Sequence, residues 1–295
     1  MNEPADETAI APRDGLSPLP QWRRSTLWRE WLPRALFGIL LATLAIAADL
    51  AGPLYFAAWI FLGAFAAVRE WHRLVSGERY ALALAASTAS IAAGLSAILL
   101  APQSFMPLWL LALGSVLAAA GASMVAAKPG WNAIGPVYVG VPSVSLLALR
   151  AEASQGWAVL LLIFLVVWSA DTAALLAGRF LGGPKLVPTL SPNKTWSGFV
   201  AGCAVPSVAA CLYVTLVGGN GWLGALLGLV LALAGHSGDL FESWAKRRVG
   251  RKNSGGLIPG HGGVLDRVDS LLFAAPLAAV LVFVFGLDPL FGGRP

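Results

Sequence analysis

The sequence predicts an all-α integral membrane protein with about nine transmembrane helices, and three observations predict it. Of 295 residues, 57% are hydrophobic and only 12% are charged, against about 25% charged in an ordinary soluble domain. The mean hydropathy is +0.73. Apolar stretches of roughly 15–22 residues recur along the chain, close to the ~20 residues that cross a ~30 Å hydrocarbon core. A water-soluble fold of this length has no means of hiding so much apolar surface, so lipid is the solvent for most of it.

The elements follow in order. Residues 1–30 read as a polar tail of mixed charge, too long and too acidic for the basic region of a cleavable signal. Residues 21–31 are expected to lie at the membrane interface. Residues 31–150 are expected to form a bundle of about five spans, at 35–50, 54–68, 80–100, 107–126 and 134–149. Residues 151–295 are expected to form the catalytic region, with about four more spans at 157–176, 196–217, 222–240 and 271–287. Span ends fall near Trp31, Trp71, Trp157, Trp196 and Trp222, where an aromatic belt would place them. Breaks such as Ala51-Gly52-Pro53 are built of turn residues.

Counting charges orients the chain. With the amino terminus inside and nine crossings, all but Arg150 and Arg294 of the 20 basic residues fall on the inner side. This bias predicts a cytoplasmic amino terminus and cytoplasmic polar loops. It also accounts for the net charge of +5 without nucleic acid, since no basic stripe interleaved with aromatics stands outside the spans. Cys203 and Cys211 share one apolar span and lack metal-ligand spacing, so they read as reduced core residues. Asp49 reads as an outer-end residue and His72 as an interfacial one.

The chemistry lies in two inner segments, 171–196 and 239–269. If the eighth helix continues past the membrane surface, Asp239, Glu242 and Lys246 share one face at i, i+3 and i+7. Asp266 and Asp269 repeat the i, i+3 relation at the start of the ninth span. Carboxylates at span ends are costly unless they bind something. Hard oxygen donors without a Cys or His cluster point to Mg²⁺, with Asp239, Glu242, Asp266 and Asp269 as candidate ligands. Between the two pairs, residues 259–263 hold three glycines, which can turn backbone N–H groups toward a phosphate. Lys246, Arg247, Arg248, Arg251, Lys252 and Arg267 surround them. Carboxylates, cations and a glycine turn together describe phosphoryl or nucleotidyl transfer.

The first segment adds Ser191, Asn193 and Lys194 as phosphate partners and Thr195 as a helix cap. Asp171 is read either as part of the site or as a structural pair. His236, Ser237 and Asp239 do not form a catalytic triad, because they crowd one helical turn with no nucleophile elbow.

Residues 243–247, Lys252 and the run 259–269 resemble the signature of phosphatidate cytidylyltransferases, the CDP-diacylglycerol synthases. Residues 171–178 and 191–198 resemble that family's second patterned region. The resemblance covers about the last 130 residues. It implies transfer from CTP to phosphatidate with Mg²⁺, in phospholipid biosynthesis, and the absence of targeting extensions in the sequence suggests a bacterial plasma membrane as the location. It leaves a homodimer open.

The resemblance further implies Asp239 and Asp266 as metal ligands and Lys246 and Arg247 as phosphate binders. His261, Gly262 and Gly263 would shape the loop, and Arg267 and Asp269 would complete the site. Asn253 stands where the family usually has an acid, Asn193 where it has a cation and Ser197 where it has a Glu. The rival readings are a related CTP-dependent lipid enzyme, an ion-coupled transporter and a non-catalytic scaffold. A transporter predicts charges near the midplane rather than at one face.

Overall fold

The computed structural model describes residues 22–101, 104–153, 155–251, 255 and 262–286, with side chains at position 36 and from 38 onward. Among these residues nine helices follow one another: α1 (Trp22–Ala51), α2 (Pro53–Ser76), α3 (Ala81–Leu100), α4 (Met106–Met124), α5 (Pro129–Glu152), α6 (Gly156–Phe180), α7 (Trp196–Leu216), α8 (Gly221–Arg248) and α9 (Leu265–Phe283). Each overlaps one expected span. α1 starts at Trp22, inside the stretch expected to be a tail. Between α6 and α7 an antiparallel hairpin pairs β1 (Lys185–Val187) with β2 (Ser191–Thr195), where the sequence predicts only a loop. Strands this short, without apolar alternation, leave no period-2 signal.

Seven of these helices, α2 through α8, are long and apolar enough to cross a membrane. α1 contributes a shorter apolar run, Gly38–Ala51. α9 spends its first turns on Asp266, Arg267 and Asp269. At 28 residues, α8 is about 42 Å long. That exceeds a ~30 Å hydrocarbon core by about 12 Å, roughly eight residues, or four at each end if shared equally. Its charged last turns therefore have room to stand clear of the lipid, as the sequence predicts.

The chain divides into two compact units, Met1–Leu40 and Leu41–Pro295. The first holds the amino-terminal part of α1. Within the second, α5 is the most buried of the spans and packs on α2, α3, α4 and α9. α7 packs along both α6 and α8. Without a hydrophobic drive between helices in lipid, close approach of small residues supplies much of the attraction. At Gly228 an added Cβ would stand 2.6 Å from the Pro206 carbonyl oxygen, so the backbones of α7 and α8 come close together there.

Two residues expected at the membrane interface lie in the core instead. Trp71 and His72 are fully buried. Trp71 Nε1 donates to the Trp131 carbonyl at 2.9 Å. The His72 ring meets Asn132 Oδ1 at 2.7 Å and Ser87 Oγ at 2.8 Å. Both rings are satisfied by α3 and α5 rather than by lipid headgroups. Trp157, Trp196 and Trp222 are exposed, as a belt requires.

At the end of the bundle away from the polar segments, Arg150 Nε sits 2.7 Å from Asp49 Oδ1, with the Asp49 side chain 0% exposed. This pair explains why Arg150 stands apart in the charge count: it answers a buried carboxylate. Arg150→Met is expected to cost about 3–5 kcal/mol, because it leaves Asp49 buried and unpaired. The thermal unfolding midpoint in detergent should fall, and adding Asp49→Asn should restore part of it.

Candidate active site

The hairpin and the start of α7 place the first group. Thr195 caps α7, its Oγ1 accepting from Gly198 N–H at 3.2 Å, as its position in the sequence predicts. Trp196 N–H donates to the Pro184 carbonyl at 3.0 Å, which closes the hairpin onto the helix. One residue before the cap, Lys194 reaches across and forms an ion pair with Asp239 of α8. The two polar segments are thus joined by a direct contact.

The second group lies further along α8. Lys246 Nζ stands 2.6 Å from Asp266 Oδ1 and 3.1 Å from Glu242 Oε2. Glu242 is 1% exposed, so this ammonium is what makes its charge tolerable. The other Asp266 oxygen accepts from Gly263 N–H at 3.1 Å. Gly262 holds φ at +86°, a conformation that glycine adopts without strain. The glycine turn therefore folds back on Asp266.

α8 and α9 can bring these groups together because nothing separates their backbones. A Cβ on Gly238 would lie 2.3 Å from the Asp269 carbonyl oxygen, and one on Gly235 3.3 Å from Ser270 Cβ. Asp269 accepts from the Ser270 N–H at 2.8 Å. It lies within electrostatic reach of Asp239, Glu242 and Asp171. On α6, Asp171 Oδ1 accepts from Ser270 Oγ at 3.3 Å.

The residues singled out from sequence fall into three sets. Lys194 and Asp239 meet, and Glu242, Lys246, Asp266 and Gly263 meet, with Asp269 and Gly262 beside them. Asp239 does not share its partner with Glu242 despite lying on the same helix face. Ser191 starts β2 and is half-buried, while Arg247 and Arg267 are exposed. Lys252, Asn253 and His261 lie outside the described residues.

Sequence reasoning passed over Glu70. This buried side chain of α2 accepts the Leu265 N–H at 2.9 Å. Its sequence signal is faint: Glu70 stands just past the expected span 54–68, among Arg69, His72 and Arg73, where an acid reads as an ordinary inner-face charge. His236 packs against Phe199, and Ser237 Oγ turns back to the Leu233 carbonyl at 2.9 Å. Neither faces the other as a triad would need.

The donor set is oxygen-only, and Glu242 Oε1 is buried with no hydrogen-bond partner. Among the described residues no three metal-ligating side chains already form a cage. That is compatible with Mg²⁺, which usually takes one or two carboxylates, keeps several waters and completes its shell with substrate phosphates.

Residues 32–285 match the model of the cytidylyltransferase family. The match takes in the amino-terminal spans and Glu70, well beyond the region of visible motif resemblance. A phosphatidate cytidylyltransferase of Brucella suis is 48% identical over 158 residues, covering 53% of this chain and 57% of that protein. The Brucella melitensis protein of the same name aligns equally. That of Staphylococcus haemolyticus is 43% identical over 147 residues, covering 49% of this chain and 55% of its own length. The aligned part thus spans little more than half of each relative. With the family match running through nearly every helix that builds the site, the chain belongs to the cytidylyltransferase family.

Proposed function

We propose that this chain joins CTP to phosphatidate, giving CDP-diacylglycerol and diphosphate, as a step of phospholipid biosynthesis. The observation that carries the reading is the meeting of the two polar segments at one end of the helical bundle. Two groups of paired charges stand there, Lys194 with Asp239, and Lys246 with Glu242 and Asp266. The names of the Brucella and Staphylococcus relatives favour phosphatidate as the lipid.

In the proposed reaction a phosphatidate oxygen attacks the α-phosphorus of CTP. A new P–O bond forms as the α–β phosphoanhydride bond breaks, and diphosphate leaves with the electron pair. No general base is required, because the attacking phosphate is already ionised near neutral pH. Lys194 and Lys246 hold and orient phosphate oxygens, a positioning task that supplies most of the catalysis in such transfers. The Gly262–Gly263 turn holds the Asp266 carboxylate in place through the Gly263 N–H. Asp239 and Asp266, with Glu242 and Asp269 beside them, would hold Mg²⁺. Bound there, the ion would neutralise charge on the nucleotide phosphates. The site lies at helix ends because CTP arrives from water and the diacylglycerol tails remain in lipid.

The positive-inside bias supports a cytoplasmic amino terminus and a cytoplasmic site, with α1 and α9 completing nine crossings of a bacterial plasma membrane. The test uses purified protein in detergent with Mg²⁺, labelled CTP and phosphatidate. Labelled CDP-lipid and one equivalent of diphosphate are expected, both abolished by EDTA. Label transfer to a polyprenol or ether-lipid phosphate, with none to phosphatidate, would reassign the lipid substrate. Absence of any CTP-dependent product would refute the reading.

A further inference from the structure

Glu70 lies near the carboxyl end of α2, far in sequence from the groups described above. Its side chain is 2% exposed. Oε2 accepts the Leu265 N–H at 2.9 Å. A Cβ built on Gly255 would stand 2.6 Å from Oε1. One carboxylate therefore touches the α8–α9 connection at Gly255 and the first residue of α9.

The contact answers a need of α9. The first turn of a helix leaves backbone N–H groups without partners inside the helix, and Val264 at the cap position supplies no side-chain acceptor. Glu70 supplies one from another helix. A carboxylate is well suited to this place, because the positive end of the helix dipole favours it. The next residue along α9 is Asp266, whose two oxygens are taken by Lys246 and Gly263.

The base of Glu70 is immobilised as well. Trp71 is bonded to the Trp131 carbonyl. His72 is bonded on both ring nitrogens, to α5 through Asn132 and to α3 through Ser87. Asn132 in turn donates to Ser76 Oγ and to the Lys128 carbonyl, each at 2.7 Å. α2 is thus clamped on either side, and Glu70 is held as a fixed peg.

We infer that Glu70 is a positioning residue. Through Leu265 it sets the first turn of α9, and so the direction in which the Asp266 carboxylate faces Lys246 and the rest of the site. This rests on the cytidylyltransferase reading of the site, and it gives the amino-terminal bundle a part in the reaction beyond anchoring.

The test compares Glu70→Ala, Glu70→Gln and Gly255→Ala in the purified full chain. The readouts are kcat and KM for phosphatidate at saturating CTP, together with amide hydrogen exchange over residues 262–270. Glu70→Ala is expected to lower kcat about 50-fold, since small misplacements of reacting groups cost up to ~10²-fold. Its exchange at Leu265 and Asp266 should rise, with KM for phosphatidate within about threefold of the unaltered chain. Glu70→Gln keeps an acceptor oxygen and is expected to stay within about fivefold of the unaltered chain, with its exchange protected. Gly255→Ala should push the carboxylate aside without removing it and lower kcat about tenfold, which keeps the test open if Glu70→Ala does not fold.

Unchanged kcat and exchange in Glu70→Ala or Gly255→Ala would overturn the inference. So would equal losses in Glu70→Ala and Glu70→Gln without any change in exchange. Should the unaltered chain make no CDP-lipid while exchange responds as stated, the positioning role stands and the reaction assignment is what fails.

Discussion

Asp266→Asn is expected to reduce CDP-diacylglycerol formation on the order of 10³-fold while leaving the protein folded. The substitution changes almost nothing in size, so its effect isolates charge and hydrogen-bond polarity. Both Asp266 oxygens act as acceptors, Oδ1 from Lys246 at 2.6 Å and Oδ2 from Gly263 N–H at 3.1 Å. An asparagine has one oxygen and one NH₂, so it must set a donor against either the ammonium or the backbone N–H. One of those contacts is lost whichever way the amide turns. The carboxylate charge proposed to hold Mg²⁺ is lost as well. The measurement is initial rate with labelled CTP, alongside elution volume and thermal midpoint. Full activity with normal folding would remove Asp266 from the site.

Lys246→Met is expected to fail in two separable ways. The first is structural. Glu242 is 1% exposed and lies 3.1 Å from the Lys246 ammonium, with Asp266 close enough to repel it. Removing the cation leaves a buried carboxylate facing another, which costs about 3–5 kcal/mol. The second is chemical, because a phosphate-orienting charge is gone, and turnover should fall on the order of 10²–10³-fold. The double variant Lys246→Met with Glu242→Gln separates the two. It should recover most of the thermal midpoint and none of the turnover. Recovery of both together would make Lys246 a purely structural ion-pair partner.

Particular residues show why parts of the site were legible in the sequence. Asp239, Glu242 and Lys246 are close together along one helix, and helical periodicity alone puts them on one face. Asp266, Gly262 and Gly263 are close enough to meet through a turn. Thr195 precedes an apolar run and so could be read as its cap. The count of basic residues places the segments of Lys194 and Asp239 on one membrane face, which does not say that the two side chains touch. Their ion pair depends on the hairpin, whose strands are too short to announce themselves. Trp71 and His72 look interfacial in sequence because they follow an apolar run among charges. Their partners, Trp131, Asn132 and Ser87, are supplied by other helices.

What the sequence determined by itself is the solvent, the number of apolar stretches and the residue types of the site. These follow from hydropathy, from charge asymmetry and from spacing within single segments, all of which are local. What only the tertiary structure decided is which cation answers which carboxylate, and that Glu70 on α2 caps α9. Those contacts cross up to 195 residues of sequence. They arise where glycines such as Gly238 let helix backbones come within reach of each other, and no local period encodes which distant helix will arrive there.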